Sequence, residues 1–315
     1  MNRAIFYLLI AGIVNLFPGK VVSQNHVVYR SNFLHPALLN PAITGSSFLP
    51  KACLTYQKQW AGIPQSPQSM LVSASIRIGN FDFYNPKKLV YTSRIKSRER
   101  IGLGISFFSD QNGPLTARGI NAAYAYHVPF DHSQLSLAIS GSTRQQIIDE
   151  SVFRPTYPGD PIITGIRESF ISYNATIGAY YYARALSGGL AIHNIIPLED
   201  KLRPGDKVRP DLVLHGSYLF SSFGKPNMEI RMNIRYLDMA ILEYDLHVRT
   251  YIREVHWIAL SYRSYQALAL HLGFNISRFY LAYSFETTLS SMVRYQMGTH
   301  AVHLGINLGM KSINY

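Results

Sequence analysis

Four consecutive stretches between His256 and Met310 alternate apolar and polar or small residues with a period of two. Ile258, Leu260 and Tyr262 interleave with Ala259, Ser261 and Arg263, then Leu268, Leu270, Leu272, Phe274 and Ile276 with Ala267, Ala269, His271, Gly273 and Asn275. Phe279, Leu281, Tyr283 and Phe285 interleave with Tyr280, Ala282 and Ser284, and Val302, Leu304, Ile306 and Leu308 with Ala301, His303, Gly305, Asn307 and Gly309. Side chains of a strand point alternately to its two faces, so each stretch has one apolar and one polar face. Only two folds accommodate a long run of such strands. A soluble sandwich, such as a secreted lectin, turns the apolar face inward, whereas a membrane barrel turns it outward to lipid and the polar face to a lumen.

Composition favours the barrel. Charged residues are 15% of the 315-residue chain, against roughly 25% in soluble domains, and Tyr occurs 22 times against two Trp. Few charges and many amphipathic rings suit a surface that meets lipid headgroups. The formal net charge is +12. The basic residues form neither a basic helix nor an RNA-reading motif, so nucleic acid is not an expected partner. A single cysteine, Cys53, excludes an internal disulfide and a four-cysteine zinc site.

Residues 1–23 read as a signal peptide: Arg3 is the positive end, Ala4 to Phe17 the apolar core, and Val21-Val22-Ser23 the cleavage site. No later stretch offers 18 consecutive apolar residues, which argues against membrane-spanning helices. Residues 24–51 are expected to be an irregular lead-in or plug, because Pro36 and Asn40-Pro41 interrupt any regular element. Residues 52–315 are expected to form an up-and-down antiparallel transmembrane barrel. Its strands are read as 52–59, 68–78, 101–109, 119–128, 134–148, 169–183, 186–194, 211–220, 228–237 and 240–253, followed by the four described above. The total is about 14, an even number as single-chain bacterial barrels require.

Order along the chain adds a resemblance. Asn40-Pro41-Ala42 with Gly45, then Tyr56-Gln57-Lys58-Gln59-Trp60-Ala61-Gly62 and a following proline, resemble the opening of the PorP/SprF family. Gly102-Leu103-Gly104, Ala123-Tyr124-Ala125-Tyr126, Phe279–Phe285 and Gly298-Thr299-His300 continue the similarity over nearly the whole chain. Glu286, where the family often has Asp, and Ala301, where an acid often follows the histidine, depart from it. The resemblance implies a non-enzymatic component of type IX secretion and gliding in the outer membrane of Bacteroidetes. Its implied partners are outer-membrane lipid, periplasmic secretion components and an exported cargo such as an adhesin. Asn40, Pro41, Ala42, Gly45, Gln59, Trp60 and Gly62 are the motif positions it carries over. A solute or hydrophobic-substrate channel on the same barrel is the alternative.

Two charge-bearing regions stand out. The connection 79–99 carries Lys87, Lys88, Arg94, Lys96 and Arg98 and reads as a partner-contact segment or a solvated loop. Glu229, Arg231, Asn233 and Arg235, then Glu243, Asp245, His247 and Arg249, occupy the polar phase of two neighbouring strands and are expected to line the lumen. Asp245-x-His247 beside Glu243 lacks a convergent third ligand and reads as a charge ladder. His300 and His303 fall on opposite faces of one strand, and Gly102 and Gly104 open no helix that could cradle phosphate. No nucleophile–base pair is placed by spacing, so neither an enzyme nor a cofactor is expected.

Overall fold

The computed structural model describes residues 34–46, 51–78, 100–149, 167–183, 185–196, 208–222, 225–252, 256–264, 267–276 and 278–307. The signal-peptide assignment, the basic segment with Lys87, Lys88, Arg94, Lys96 and Arg98, and most of the connection 150–168 lie outside them. Fourteen strands follow in chain order: β1 (Lys51–Lys58), β2 (Gln68–Ile78), β3 (Ile101–Asn112), β4 (Leu115–Pro129), β5 (Ser133–Asp149), β6 (Arg167–Ala183) and β7 (Leu186–His193). The second half comprises β8 (Asp211–Ser222), β9 (Lys225–Leu237), β10 (Ile241–Ile252), β11 (His256–Arg263), β12 (Ala267–Ile276), β13 (Phe279–Thr288) and β14 (Thr299–Asn307). Each strand pairs antiparallel with its sequence neighbours, and β14 pairs with β1 from Lys51↔Asn307 to Lys58↔His300, which closes the barrel.

Closure satisfies every wall strand on both edges, the condition for strands to sit in hydrocarbon. The burial pattern is inverted relative to a soluble sandwich. Leu260 is 63% and Ile276 66% exposed, whereas His303 and Asp245 are each 1% exposed. Along β12, Leu268, Leu270 and Phe274 face outward while Ala269 and His271 are buried. The outward faces of β2, β3, β5 and β14 repeat this with Met70, Val72, Ile76, Leu103, Ile105, Leu137, Ile139, Val302 and Leu304. Tyr56, Tyr124, Tyr173, Tyr218 and Tyr283 add outward aromatic rings.

The strands differ from expectation mainly in reach. β3 and β4 extend to within a two-residue turn, Gly113-Pro114, beyond the expected strands 101–109 and 119–128. Leu115 to Arg118 continue the ladder opposite Asn112 to Ser109, because backbone pairing does not require the side-chain alternation that fades there. β9 likewise begins three residues before Met228 and β13 ends three residues after Phe285.

An arginine at the outward Leu270 should cost about 2–4 kcal/mol of folding free energy if that position sits near mid-bilayer. Urea titration of the barrel refolded in phosphatidylcholine vesicles measures it. The same substitution at the inward Ala269, which lies beside Glu286 of β13, should cost far less.

Candidate functional site: a plugged, histidine-lined lumen

Residues 34–46 sit inside the barrel. Two prolines do not prevent local order here. Pro36 opens a one-turn helix, α1 (Pro36–Leu39), at the position where its missing N–H is harmless, and Pro41 opens a 3-10 turn, Pro41–Ile43. Asn40 joins them by accepting a hydrogen bond from the Ala42 N–H at its own Oδ1, 2.9 Å. The expected irregular plug is therefore two consecutive turns, ending at Gly45 in the left-handed region (φ +68°).

The wall is shaped to receive these turns. Asn40 Nδ2 donates to the carbonyls of Ala179 (2.9 Å) and Leu190 (3.3 Å) and lies 3.0 Å from His215 Nε2. Gly178 and Gly189 lie beneath that amide, and a Cβ on Gly178 would overlap Asn40 Oδ1. A Cβ on Gly102 would overlap the Thr44 carbonyl oxygen, and one on Gly104 would come 2.7 Å from Thr44 Cγ2. Leu39 packs on Ala191 and Val213. His193 Nε2 donates to the Leu39 carbonyl at 2.9 Å, and Arg77 reaches the Gly45 carbonyl at 3.5 Å while holding Gln134 at 2.9 Å. The motif residues Asn40, Pro41, Ala42 and Gly45 thus all lie in the plug.

His35 begins a second set of contacts. Its Nδ1 lies 2.7 Å from Ser73 Oγ and its Nε2 2.7 Å from Thr55 Oγ1. Thr55 Oγ1 meets His303 Nδ1 at 2.7 Å, and His303 Nε2 meets Ser284 Oγ at 3.1 Å. Ser284 continues to His271 Nδ1 at 2.7 Å, and His271 Nε2 to Ser261 Oγ at 2.5 Å. Imidazoles and hydroxyls alternate from β2 through the plug to β11. A neutral imidazole donates at one nitrogen and accepts at the other, which is what such a chain needs. Burial, with His303 beside it, holds the His35 imidazole down to about 3.

The charged residues of β9 and β10 line the wall between β8, which the plug touches through His215, and β11, where that run ends. Asp245 accepts from Arg235 Nη2 (2.9 Å) and Arg263 Nε (3.0 Å), and Arg263 also reaches Glu286 at 3.0 Å. Arg235 lies 3.2 Å from Glu243. Glu229 pairs with Arg231 (2.8 Å) and Arg249 (3.4 Å), and Arg249 lies over the Trp257 ring at 4.7 Å from its centroid. His247 is buried on the same face, its ring 6.3 Å from that of His271. Arg231, Arg235, Glu243, Asp245, His247 and Arg249 therefore share the inner surface, where ion pairing offsets part of their desolvation.

The remaining motif positions lie at one rim. Gln59 is buried, and its N–H donates to the Pro67 carbonyl at 2.8 Å. Trp60 takes a left-handed φ of +49°, and Gly62 one of +94°. Sequence reasoning did not single out Arg77, His35, His193, His215 or His271 as plug and lumen groups. The inward phase of the three strand histidines was a legible signal; Arg77 became one only once the carbonyl of Gly45 stood opposite it.

A closed barrel with an apolar exterior and a polar interior is an outer-membrane β-barrel. The family model for the type IX secretion system membrane protein PorP/SprF matches residues 21–306. The chain belongs to that family and is an outer-membrane component of type IX secretion. No curated protein matches it. Among solved structures it is similar to the CymD monoaromatic hydrocarbon channel, with 10% identity and a TM-score of 0.51 over 89% of this chain and 93% of that one. It is also similar to Omp33 of Acinetobacter baumannii, with 8% identity and a TM-score of 0.49 over 84% of this chain and 100% of the other. The KdgM porin shows 10% identity and a TM-score of 0.39 over 82% and 99%. At 10% identity the likeness to the CymD channel is one of fold alone.

Three outcomes follow from this geometry. Gly102→Ala or Gly178→Ala should unseat the plug and raise single-channel conductance in planar bilayers. Once released, His35 regains its ordinary pKa of 6.5, so the released plug binds a proton that the seated one refuses. Seating is therefore fully favourable above pH 6.5 and weakens as pH falls toward 3, by up to about tenfold per unit for this one group. Conductance openings should rise over that window, less so in His35→Gln. Asp245→Asn should destabilise the barrel by about 3–5 kcal/mol, read by urea titration in vesicles, because it strips a buried charge from Arg235 and Arg263.

Proposed function

We propose that this protein is a non-enzymatic scaffold that supports export or surface attachment of secreted proteins such as adhesins, rather than an open conduit. The observation that carries this reading is the seated plug: residues 34–46 fill part of the lumen and bond to β1, β2, β6, β7 and β8. A barrel kept open for solutes has no use for a wall whose glycines are matched to its own N-terminal turns. The family supplies the context, since its members serve type IX secretion. Periplasmic secretion components and one exported cargo protein are the proposed partners. The contact candidates are the loop 60–67, the connections 150–168 and 195–209, and the basic segment with Lys87, Lys88, Arg94, Lys96 and Arg98.

A second reading, an outer-membrane channel for a solute or hydrophobic substrate, draws on the shared fold with a monoaromatic hydrocarbon channel. Deleting the gene and comparing surface proteomes separates the two. Loss of one or a few large surface proteins is the expected result. An intact surface proteome with altered solute uptake would replace the scaffold by the channel. Charge reversal of Lys87, Lys88, Arg94 and Lys96 to Glu should abolish co-purification with the periplasmic partner, and unchanged co-purification would remove that segment from the contact.

A further inference from the structure

The β13–β14 connection differs from the other described rim segments. Five large apolar side chains are exposed within nine residues: Leu289 (51%), Met292 (39%), Val293 (46%), Tyr295 (76%) and Met297 (75%). They surround a 3-10 helix, Ser291–Tyr295, whose last turn carries Arg294, and Arg294 forms no ion pair among the described residues. An exposed apolar cluster of this density marks a contact with a partner or a membrane.

The way the segment is tethered distinguishes the two. On β14, Ala301 and His303 face the lumen, so His300, Val302 and Leu304 face lipid. His300 Nε2 donates to the Met297 carbonyl at 3.1 Å, and its Nδ1 lies 2.6 Å from the Tyr283 hydroxyl. The His300 ring lies 5.3 Å from that of Phe285, another outward residue. Gly298 has φ +88° and lies so close to Phe285 that a Cβ there would come within 2.5 Å of the ring. The connection therefore leaves the barrel over its lipid-facing side, continuous with the outer belt. Backbone bonds from Met297 N–H to Ala61 O (2.7 Å) and from Ala61 N–H to Gly298 O (2.8 Å) hold it against the motif loop. Aliphatic side chains beside an exposed tyrosine and an exposed arginine suit the boundary between acyl chains and headgroups.

We propose that the β13–β14 connection is an interfacial anchor that lays Leu289, Met292, Val293, Tyr295 and Met297 into the lipid boundary and presents Arg294 to a phosphate-bearing headgroup. Such an anchor fixes the depth and tilt of the barrel at this rim and steadies the loop 60–67 bonded to it. It stands independently of the secretion role.

The test uses the full chain in a Cys53→Ser background, with nitroxide labels at Tyr295→Cys, Met297→Cys or the exposed Pro64→Cys of the neighbouring loop. Each variant is refolded into vesicles of phosphatidylcholine and phosphatidylglycerol, with heat-modifiable mobility confirming the barrel. The expected oxygen-to-nickel-chelate collision ratio at 295 and 297 is at least about fivefold that at 64, as for labels within the acyl boundary. Arg294→Glu should lower it at least about twofold in these anionic vesicles. A ratio at 295 and 297 equal to that at 64 would overturn the anchor and leave the patch to a protein partner. A high ratio unaffected by Arg294→Glu would overturn the headgroup contact.

Discussion

Backbone hydrogen bonding in a medium without water is the constraint from which the rest of this structure follows. An unpaired strand edge in hydrocarbon costs several kcal/mol per group, so the sheet closes through β1 and β14. Closure puts one face of every strand in lipid and the other in an enclosed lumen. The inverted burial then needs no separate explanation: Leu260 and Ile276 lie outside, and Asp245, His303 and Asn233 inside.

The lumen created by closure must itself be satisfied. For the charged groups the solution is electrostatic, with Arg235 and Arg263 sharing Asp245 and extending to Glu243 and Glu286. For much of the remaining polar lining it is the chain's own N-terminal segment, whose Asn40 and His35 supply what the wall lacks. Asn40 saturates carbonyls of β6 and β7, and His35 completes an alternating run of imidazoles and hydroxyls ending at Ser261. Hydrogen bonds of this kind each contribute about 0.5–1.5 kcal/mol net, so the plug is held by several modest contacts rather than one strong one. That is the energetics of a segment that stays seated yet is removable by small changes in the wall.

Membership in a secretion family and a plugged lumen are consistent with one another. The residues that carry the resemblance fall in two places: Asn40, Pro41, Ala42 and Gly45 in the plug, and Gln59, Trp60 and Gly62 in a rim loop bonded to the β13–β14 connection.

Period-two alternation marked the strands and the two faces of each, and the low charge with abundant tyrosine chose lipid for the apolar face, because a strand has only two faces and lipid forbids the wrong choice. It read β2, β6 and β7 to within two residues, and it was least sharp where alternation fades, at the start of β4. The pairing of Asp245 with two arginines and the seating of Asn40 on Gly178 and Gly189 were decided only by the tertiary structure. The Asn40 contacts join residues more than a hundred positions apart, and the sharing of Asp245 by Arg235 and Arg263 spans three strands at once. Asn40, Gly178 and Arg77 carry no local sign of one another until the barrel brings them together.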